Sequence, residues 1–367
     1  MPLPPDGAGR YNVPMTTSLG KKLLDWYDKN KRTLPWRERP SPYATFISEF
    51  MLQQTRVETV IPYYDRWMAR FPTFATLAAG DREEVLRLWE GLGYYRRAHN
   101  LHQAAQIIVT AYGSELPRDI RALQELPGIG CYTAAAITAI GFNQPAVALD
   151  GNLRRVLARL IDLELPARSI EGERALLAFG YRNLPEGHSS TFNQSLMDLG
   201  SLICTAKAPV CEQCPLQSEC LARAHGTIFE RPVKIPRKPI PRVEAAAGVL
   251  KQNGRVLIGR RPEGKLLGGL WEFPGGKPEP GEDLQAALRR EWMEELGVAA
   301  VVGAKIGTYQ HTYTHFHVTV HAFNCELVSG APAALEHSEL TWAGVEELGD
   351  YPMGKVDRAI SNTLQQK

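Results

Sequence analysis

The chain has 367 residues, 44% hydrophobic and 22% charged, a length that exceeds one ordinary core and a balance that excludes a disordered tail. Its net charge of +2 divides into +2 over residues 1–225 (25 Lys+Arg against 23 Asp+Glu), +4 over 226–243 (5 against 1) and −4 over 244–367 (12 against 16), so bulk charge does not announce nucleic-acid binding. There is no run of 18 uncharged apolar residues, and the opening Met1-Pro2-Leu3-Pro4-Pro5-Asp6 has neither a basic nor an apolar signal region, so a cytoplasmic protein with no membrane contact is expected.

In chain order, residues 18–230 read as helices with short breaks. Leu19, Leu23, Leu24 and Trp26 share a 3.6-residue stripe. Leu77, Val85, Leu86 and Leu88 suggest a second, with Asp81 as N-cap, and residues 152–160 a third. β-Branched alternation is scarce there, which predicts an all-α domain over residues 1–225. Residues 229–242 hold four prolines and five cations, the composition of an extended, semi-rigid linker, placed at 226–243. Beyond it, residues 245–258 and 319–328 read as strands and 283–296 as a helix, predicting a smaller α/β domain over 244–367.

Four of the six cysteines fall within 17 residues, spaced Cys204-x6-Cys211-x2-Cys214-x5-Cys220. In a cytosolic chain such clustering reads as metal ligation before disulfides. A zinc ribbon uses two short cysteine pairs about 15–20 residues apart. Four thiolates in one tight loop suit an iron–sulfur cubane instead, with zinc as the alternative. At the end of an all-α domain, this spacing resembles the [4Fe–4S] loop of the endonuclease III/MutY family of DNA glycosylases. Lys207 inside the loop is within reach of a phosphate.

Upstream, Pro127-Gly128-Ile129-Gly130-Cys131-Tyr132 sets two glycines before an Ala-rich helix, a turn whose free backbone N–H groups suit an anion such as a DNA phosphate. Followed by Asp150-Gly151-Asn152, it resembles the helix–hairpin–helix glycosylase signature with its downstream aspartate; the resemblance covers about residues 18–225. Bifunctional members carry a lysine that forms a Schiff base where this chain has Tyr132. A phenol forms no imine, so a monofunctional glycosylase is implied.

Phe46-Ile47-Ser48-Glu49-Phe50-Met51-Leu52-Gln53-Gln54-Thr55 resembles the segment of MutY-type adenine glycosylases that holds the catalytic glutamate. Its apolar flanks predict a dry setting and a raised pKa for Glu49. Adenine leaves poorly until a ring nitrogen is protonated, and the sugar becomes cation-like as the bond breaks. One carboxyl must donate a proton while another stays ionised. Glu49 is expected as acid and then as base for water, and Asp150 as anionic stabiliser or covalent nucleophile. Tyr132 and Asn152 are expected to orient them.

The target base must leave the stack. By resemblance, Gln54 and Tyr94 match positions that intercalate at the lesion pair, Gln194 the position facing adenine, and Arg37, in Leu34-Pro35-Trp36-Arg37, a segment lining the same pocket. The expected partner is double-stranded DNA with A:8-oxoguanine or A:G mispairs, met by a monomer.

Gly276-x5-Glu282-x7-Arg290-Glu291-Trp292-x-Glu294-Glu295-x-Gly297-Val298 looks like a complete Nudix box. Glu291, Glu294 and Glu295 at i, i+3 and i+4 share a helical face, predicting a Mg²⁺ or Mn²⁺ site. MutY-type enzymes end in a Nudix-like domain that usually lacks this box and reads 8-oxoguanine. Tyr313, Thr314 and His315 resemble its base-contacting loop. Either the box is a structural metal site or the domain also hydrolyses oxidised nucleotides such as 8-oxo-dGTP.

Overall fold

The computed structural model describes residues 17–235, 239–313 and 316–366. They form two compact units that are not contiguous in sequence: residues up to 79 with 103–235, and 80–102 with 239–366.

The first unit is all helix, with no strand among its described residues. Helix Thr17–Asn30 buries Leu19 and Leu23 of the expected stripe, whereas Leu24 and Trp26 are half-buried. Helix Pro42–Leu52 starts where Ser41 Oγ accepts the Ala44 N–H (3.0 Å) and Pro42 supplies a fixed φ at the first turn. Every residue from Tyr43 to Met51 is buried, so this helix is a core rod that carries Glu49 inward. Helix Gly151–Leu160 covers the third predicted stripe, and its Leu153, Val156, Leu157 and Leu160 join Leu196 and Leu199 of helix Ser189–Leu202 in one cluster. Helix Cys131–Ala136 continues as a π-turn over Ile137–Gly141.

One predicted stripe breaks. Leu77 lies in helix Phe74–Ala78, while Val85 and Leu86 lie in Arg82–Trp89, because Asp81 caps the new helix through Oδ2 on the Glu83 and Glu84 N–H groups. The two helices fall in different units.

In the second unit, the expected strand at 245–258 is two strands, Arg242–Gln252 and Arg255–Arg260, paired antiparallel. Asn253 (φ 51°) and Gly254 (φ 77°) form the left-handed dipeptide that closes such hairpins. The sheet runs Trp271–Glu272, Arg255–Arg260, Arg242–Gln252, His317–Ser329, Ala299–Thr312, with Glu339–Gly344 also pairing Arg255–Arg260. Arg242–Gln252 and His317–Ser329 are parallel and the other pairs antiparallel. Alternate residues feed opposite faces: Ala246, Leu250 and Leu257 pack with Leu288, Trp292 and Leu296 of helix Leu284–Leu296, and Ala247, Val249 and Ile258 with Val356, Ile360 and Leu364 of helix Lys355–Gln365. Asp283 caps helix Leu284–Leu296 through the Ala286 N–H (2.7 Å), and Gly297 ends it at φ 68°.

Residues 228–231 are tied to the first unit. Arg159 Nε donates to the carbonyls of Ile228 (3.0 Å) and Arg231 (3.2 Å), and Arg231 pairs with Asp162 at 2.8 Å. Regular structure resumes at Arg242.

Candidate active site

Helix Pro42–Leu52 delivers Glu49 to a site where its residue is only 5% exposed. Tyr132, one residue into the helix after the glycine turn, donates its hydroxyl to Glu49 Oε2 at 2.9 Å. Burial pushes the Glu49 carboxyl up to about 7; the Tyr132 hydrogen bond opposes this and the nearby Asp150 charge reinforces it. The Tyr132 phenol is raised well above its ordinary value, by burial and then by Glu49 and Asp150. It is a hydrogen-bond donor and stays one.

Asp150 is the N-cap of helix Gly151–Leu160. Its Oδ1 accepts from the Leu153 N–H (2.6 Å) and its Oδ2 from Asn152 Nδ2 (3.0 Å). Burial raises its carboxyl above the ordinary value, and the hydrogen bonds from Leu153 and Asn152 work against that rise. The two carboxyls therefore differ in kind. Glu49 accepts from the Tyr132 hydroxyl, whereas Asp150 accepts from both Leu153 and Asn152 and sits at the positive end of a ten-residue helix.

Asn152 is held in turn. Its Oδ1 accepts from Arg155 Nη2 (2.8 Å), and Arg155 reaches the carbonyls of Gly200 (2.6 Å) and Cys204 (2.7 Å). A continuous chain of hydrogen bonds thus joins the first cysteine of the cluster loop to Asp150. Arg155 went unnoticed in the sequence, where it is one of several arginines on an amphipathic helix.

Of Glu49, Tyr132, Asp150 and Asn152, it is Glu49 that lines a cavity of about 380 Å³, a size suited to a small planar ligand. Gln194 and Arg37 line the same cavity, as do Tyr27, Trp36 and Ser190. Gln194 Nε2 donates to Ser190 Oγ at 3.0 Å, one turn back on its helix. Arg37 makes a two-pronged contact to Asp198 (2.7 and 3.1 Å), which also binds Arg32 through Nε (2.7 Å) and backbone N–H (3.1 Å). Asp198 is fully buried, and these donors hold its carboxyl below the ordinary value against the burial that raises it. Arg32 and Asp198 were missed in sequence; a lone acid among the apolar residues Leu196, Met197 and Leu199 was the available signal.

The remaining DNA-side candidates lie on the surface. Gln54 is exposed in the left-handed region at φ 58°, just past the end of helix Pro42–Leu52. Gln53, not singled out in sequence, bonds Thr133 Oγ1 (3.2 Å) and the Gly128 carbonyl (3.4 Å), tying that helix end to the hairpin. Gly128 has φ 78°, where a side chain would be strained. Gly130 has an ordinary φ of −87° and open space where a Cβ would stand, so the fold does not demand glycine there.

Cys204, Cys211, Cys214 and Cys220 are free and half-buried, and three of them pack against the core of the first unit. Burial pushes the Cys214 thiol up to about 12, with Cys204, Cys220 and Cys211 reinforcing the rise, so the four thiols lie within one another's field. Arg159 Nη1 reaches Cys204 Sγ at 3.3 Å. Four soft sulfur donors in one loop suit an iron–sulfur cluster by their chemistry. Among the described residues no three His, Cys, Asp or Glu side chains are placed to hold a single metal ion.

Comparison with known proteins adds two family profiles. "HhH-GPD superfamily base excision DNA repair protein" matches residues 47–171, and "NUDIX domain" matches 245–363. The human protein "Adenine DNA glycosylase" is 35% identical over 392 residues, covering 92% of this chain and 72% of its own. The chain belongs to the adenine DNA glycosylase family. The adenine DNA glycosylase of Buchnera aphidicola subsp. Baizongia pistaciae is 37% identical over 254 residues, covering 69% of this chain and 72% of its own. A solved structure entitled "Structure of a thermostable thymine-DNA glycosylase" aligns with a TM-score of 0.51 and 27% identity over 56% of this chain and 95% of that one. The expected fold class, a helix–hairpin–helix glycosylase domain followed by a Nudix-like α/β domain, is what the chain adopts. Among the described residues no helix is long and apolar enough to cross a membrane.

In this glycosylase family member the three Nudix-box carboxylates differ in setting, with Glu291 within the field of Glu295. Glu291 packs its carboxyl over Gly276, where a Cβ would meet Glu291 Cδ at 2.1 Å, and it pairs with Arg290. Glu294 is exposed and also pairs with Arg290, at 3.1 Å. Glu295 instead turns inward, toward His337 and Glu272, and burial pushes its carboxyl up to about 7. Positions i, i+3 and i+4 lie within one broad arc of a helix, but here that arc spans the boundary between solvent and core. Tyr313 is half-buried against His311 and Phe316, with centroids at 4.7 and 4.9 Å, and its N–H bonds the Phe316 carbonyl (2.9 Å). Thr314 and His315 lie outside the described residues. Tyr94 lies in the second unit, 44% exposed, at φ 50°.

Proposed function

We propose that this chain removes adenine from DNA opposite 8-oxoguanine, or guanine, by hydrolysing the N-glycosidic bond without cutting the strand. Glu49 carries the reading: a buried carboxyl with pKa about 7, on the wall of a 380 Å³ cavity, held at one oxygen by a phenol. Near neutral pH much of it is protonated, so it can give its proton to a ring nitrogen of a flipped adenine. Gln194 offers a donor and an acceptor to the purine edge, and Arg37, fixed by Asp198, supports the polar wall. Asp150 stays the ionised partner beside the cation-like sugar, oriented by Asn152. Once adenine leaves, the Glu49 carboxylate takes a proton from water. Tyr132, in the place where bifunctional relatives have lysine, holds Glu49 and forms no imine.

Gly128, Gly130 and Lys207 are proposed to meet backbone phosphates, Gln54 and Tyr94 to fill the gap in the stack, and Tyr313, with Thr314 and His315, to contact the base opposite adenine. Cys204, Cys211, Cys214 and Cys220 would hold a [4Fe–4S] cluster. Such a cluster would fix the loop whose carbonyl anchors Arg155. Iron and its visible absorption in purified protein, both lost in Cys211→Ser, test that assignment.

Single-turnover excision on A:8-oxoguanine and A:G duplexes tests the reaction. Free adenine, strand breaks only after alkali and no borohydride-trapped adduct are expected. Trapping of the wild-type protein would overturn the monofunctional reading, and no release of adenine would overturn the function.

A further inference from the structure

We propose that the C-terminal domain holds the loop that presents Tyr94, through the Tyr95 hydroxyl and the Glu90–Arg358 ion pair, and so positions the wedge that opens the duplex. The inference rests on the reading of Tyr94 as a wedge.

Residues 80–102 are distant in sequence from 239–366 yet form one compact unit with them. Their loop, residues 90–95, joins helix Arg82–Trp89 to helix Arg96–Tyr112. Three of its residues are left-handed: Gly91 (φ 97°), Gly93 (φ 74°) and Tyr94 (φ 50°). Glycine takes such angles freely; tyrosine does so at a cost and persists there where its surroundings over-determine the backbone.

Those surroundings are visible. Trp89 Nε1 donates to the Gly93 carbonyl (3.0 Å), and Arg97 Nη2 to the carbonyls of Leu92 (3.3 Å) and Gly93 (3.1 Å). These bonds are local. Two further ties reach the C-terminal domain. The buried Tyr95 hydroxyl accepts from the Gly91 N–H (3.3 Å) and donates to the Met353 carbonyl (3.1 Å), so a single oxygen ties the glycine turn to the far end of the chain. Arg358 grips Glu90 with Nε (2.6 Å) and Nη2 (3.1 Å) while also bonding the carbonyls of Leu348 (2.7 Å) and Tyr351 (2.6 Å).

An exposed ion pair would hold little. This one is two-pronged with side chains only 21% and 18% exposed, the geometry in which an arginine fixes orientation. The flanking helices are docked as well, by Glu83–Arg260 (3.1 Å) and by His99 Nε2 on the Gly268 carbonyl (2.8 Å). The strained tyrosine therefore sits between two anchors on the same domain.

The test uses the full chain and a duplex with fluorescent 2-aminopurine in place of the target adenine, opposite 8-oxoguanine, so that flipping is read as a rise in emission. Tyr94→Ala should slow flipping by about tenfold or more, as expected when an inserted side chain is lost. Tyr95→Phe removes one oxygen and keeps the buried ring; with Glu90→Gln it should approach the Tyr94→Ala rate. Adding Tyr94→Ala to that double variant should then cause no further loss, because both changes remove one function, whereas a merely structural defect would add. Wild-type flipping in the double variant, alongside slow flipping in Tyr94→Ala, overturns the clamp. Wild-type flipping in Tyr94→Ala overturns the wedge reading and the inference with it. If the double variant melts early, Tyr95→Phe alone, expected to slow flipping about threefold, decides between the same outcomes.

Discussion

The two units each bury carboxyl groups, and burial raises Glu49 in one and Glu295 in the other to about 7. Asp357 of the second unit is raised in the same direction, by burial and by the nearby Glu272. A raised pKa therefore does not single out a catalytic acid here. What differs is the company. Glu49 lines a cavity, and a phenol and the Asp150 carboxyl, held by Leu153 and Asn152, stand beside it. Glu295 and Asp357 are each partly buried beside Glu272, which His337 bonds at 3.2 Å and Arg261 pairs with, and Asp357 Oδ1 accepts the Phe273 N–H at 3.1 Å. The first arrangement places its proton on a cavity wall, where a ligand can take it; the second places its carboxyls in one another's field around Glu272.

Glu49→Gln breaks the comparison most directly. The amide keeps the shape and cannot donate the proton, so excision should fall by roughly 10²–10⁴, the usual contribution of a general acid, while duplex binding is kept. Loss of less than about tenfold in a single-turnover assay would remove Glu49 from that role. The pH profile carries the same information. Since the acid form is the working form and the pKa is about 7, the excision rate should fall as pH rises above 7 and level off below it.

Arg155→Met tests whether the carboxylate pair depends on its supports. It removes the donor to Asn152 Oδ1 and to the carbonyls of Gly200 and Cys204. We expect about a tenfold loss in the excision rate, one order of magnitude being ~1.4 kcal/mol of transition-state stabilisation. Asn152→Ala should match it, and the double variant should lose no more. Additive losses would mean that the two residues act separately.

Much of this was legible before folding, and the exceptions share a cause. Phe46, Ile47, Phe50 and Met51 around Glu49 announced a dry helix, and all four are fully buried. The caps Asp81 and Asp283 and the terminal Gly297 are local devices that a short window reveals. The Asn253-Gly254 turn was just as local, and reading residues 245–258 as one strand passed over it. Arg37 and Asp198 meet across 161 residues, and Glu90 and Arg358 across 268, so no periodicity reports either pair. The assignment of residues 80–102 to the second unit is of the same kind: it follows from packing, which a helical stripe cannot disclose. Glu294 and Glu295 show the limit within one turn of helix, since pitch places both near one face, yet Glu294 pairs with Arg290 in solvent while Glu295 is partly buried in the field of His337 and Glu272.

Glu295→Gln measures what its burial costs. Its folded pKa, about 7, lies above its ordinary 4.5, so the folded form holds the proton more tightly. The resulting stability is full below about pH 4.5 and is lost as pH rises through 7. The neutral amide does not lose it, so at pH 8 the variant should melt higher by the equivalent of about 1–2 kcal/mol, the lower part of what such a shift implies for a partly screened group. At pH 4.5 the two proteins should melt alike. A variant less stable than wild type at pH 8 would show that the Glu295 carboxylate is held by a favourable partner.

Glu294→Gln is the matched control and the smallest effect. The residue is next in sequence, carries the same group and belongs to the same box, but it is exposed and its contact is Arg290 at i−4. Exposed pairs of this kind contribute about 0.3–0.5 kcal/mol, so melting should shift by about a degree or less at any pH between 5 and 8. Because the structure turns Glu295 inward and leaves Glu294 in solvent, Mg²⁺ should bring no shift in melting that this substitution removes. A melting rise with millimolar Mg²⁺ in the wild type, abolished by Glu294→Gln, would show that the three box carboxylates come together around a cation after all. The contrast between the two units would then be one of metal state rather than of burial.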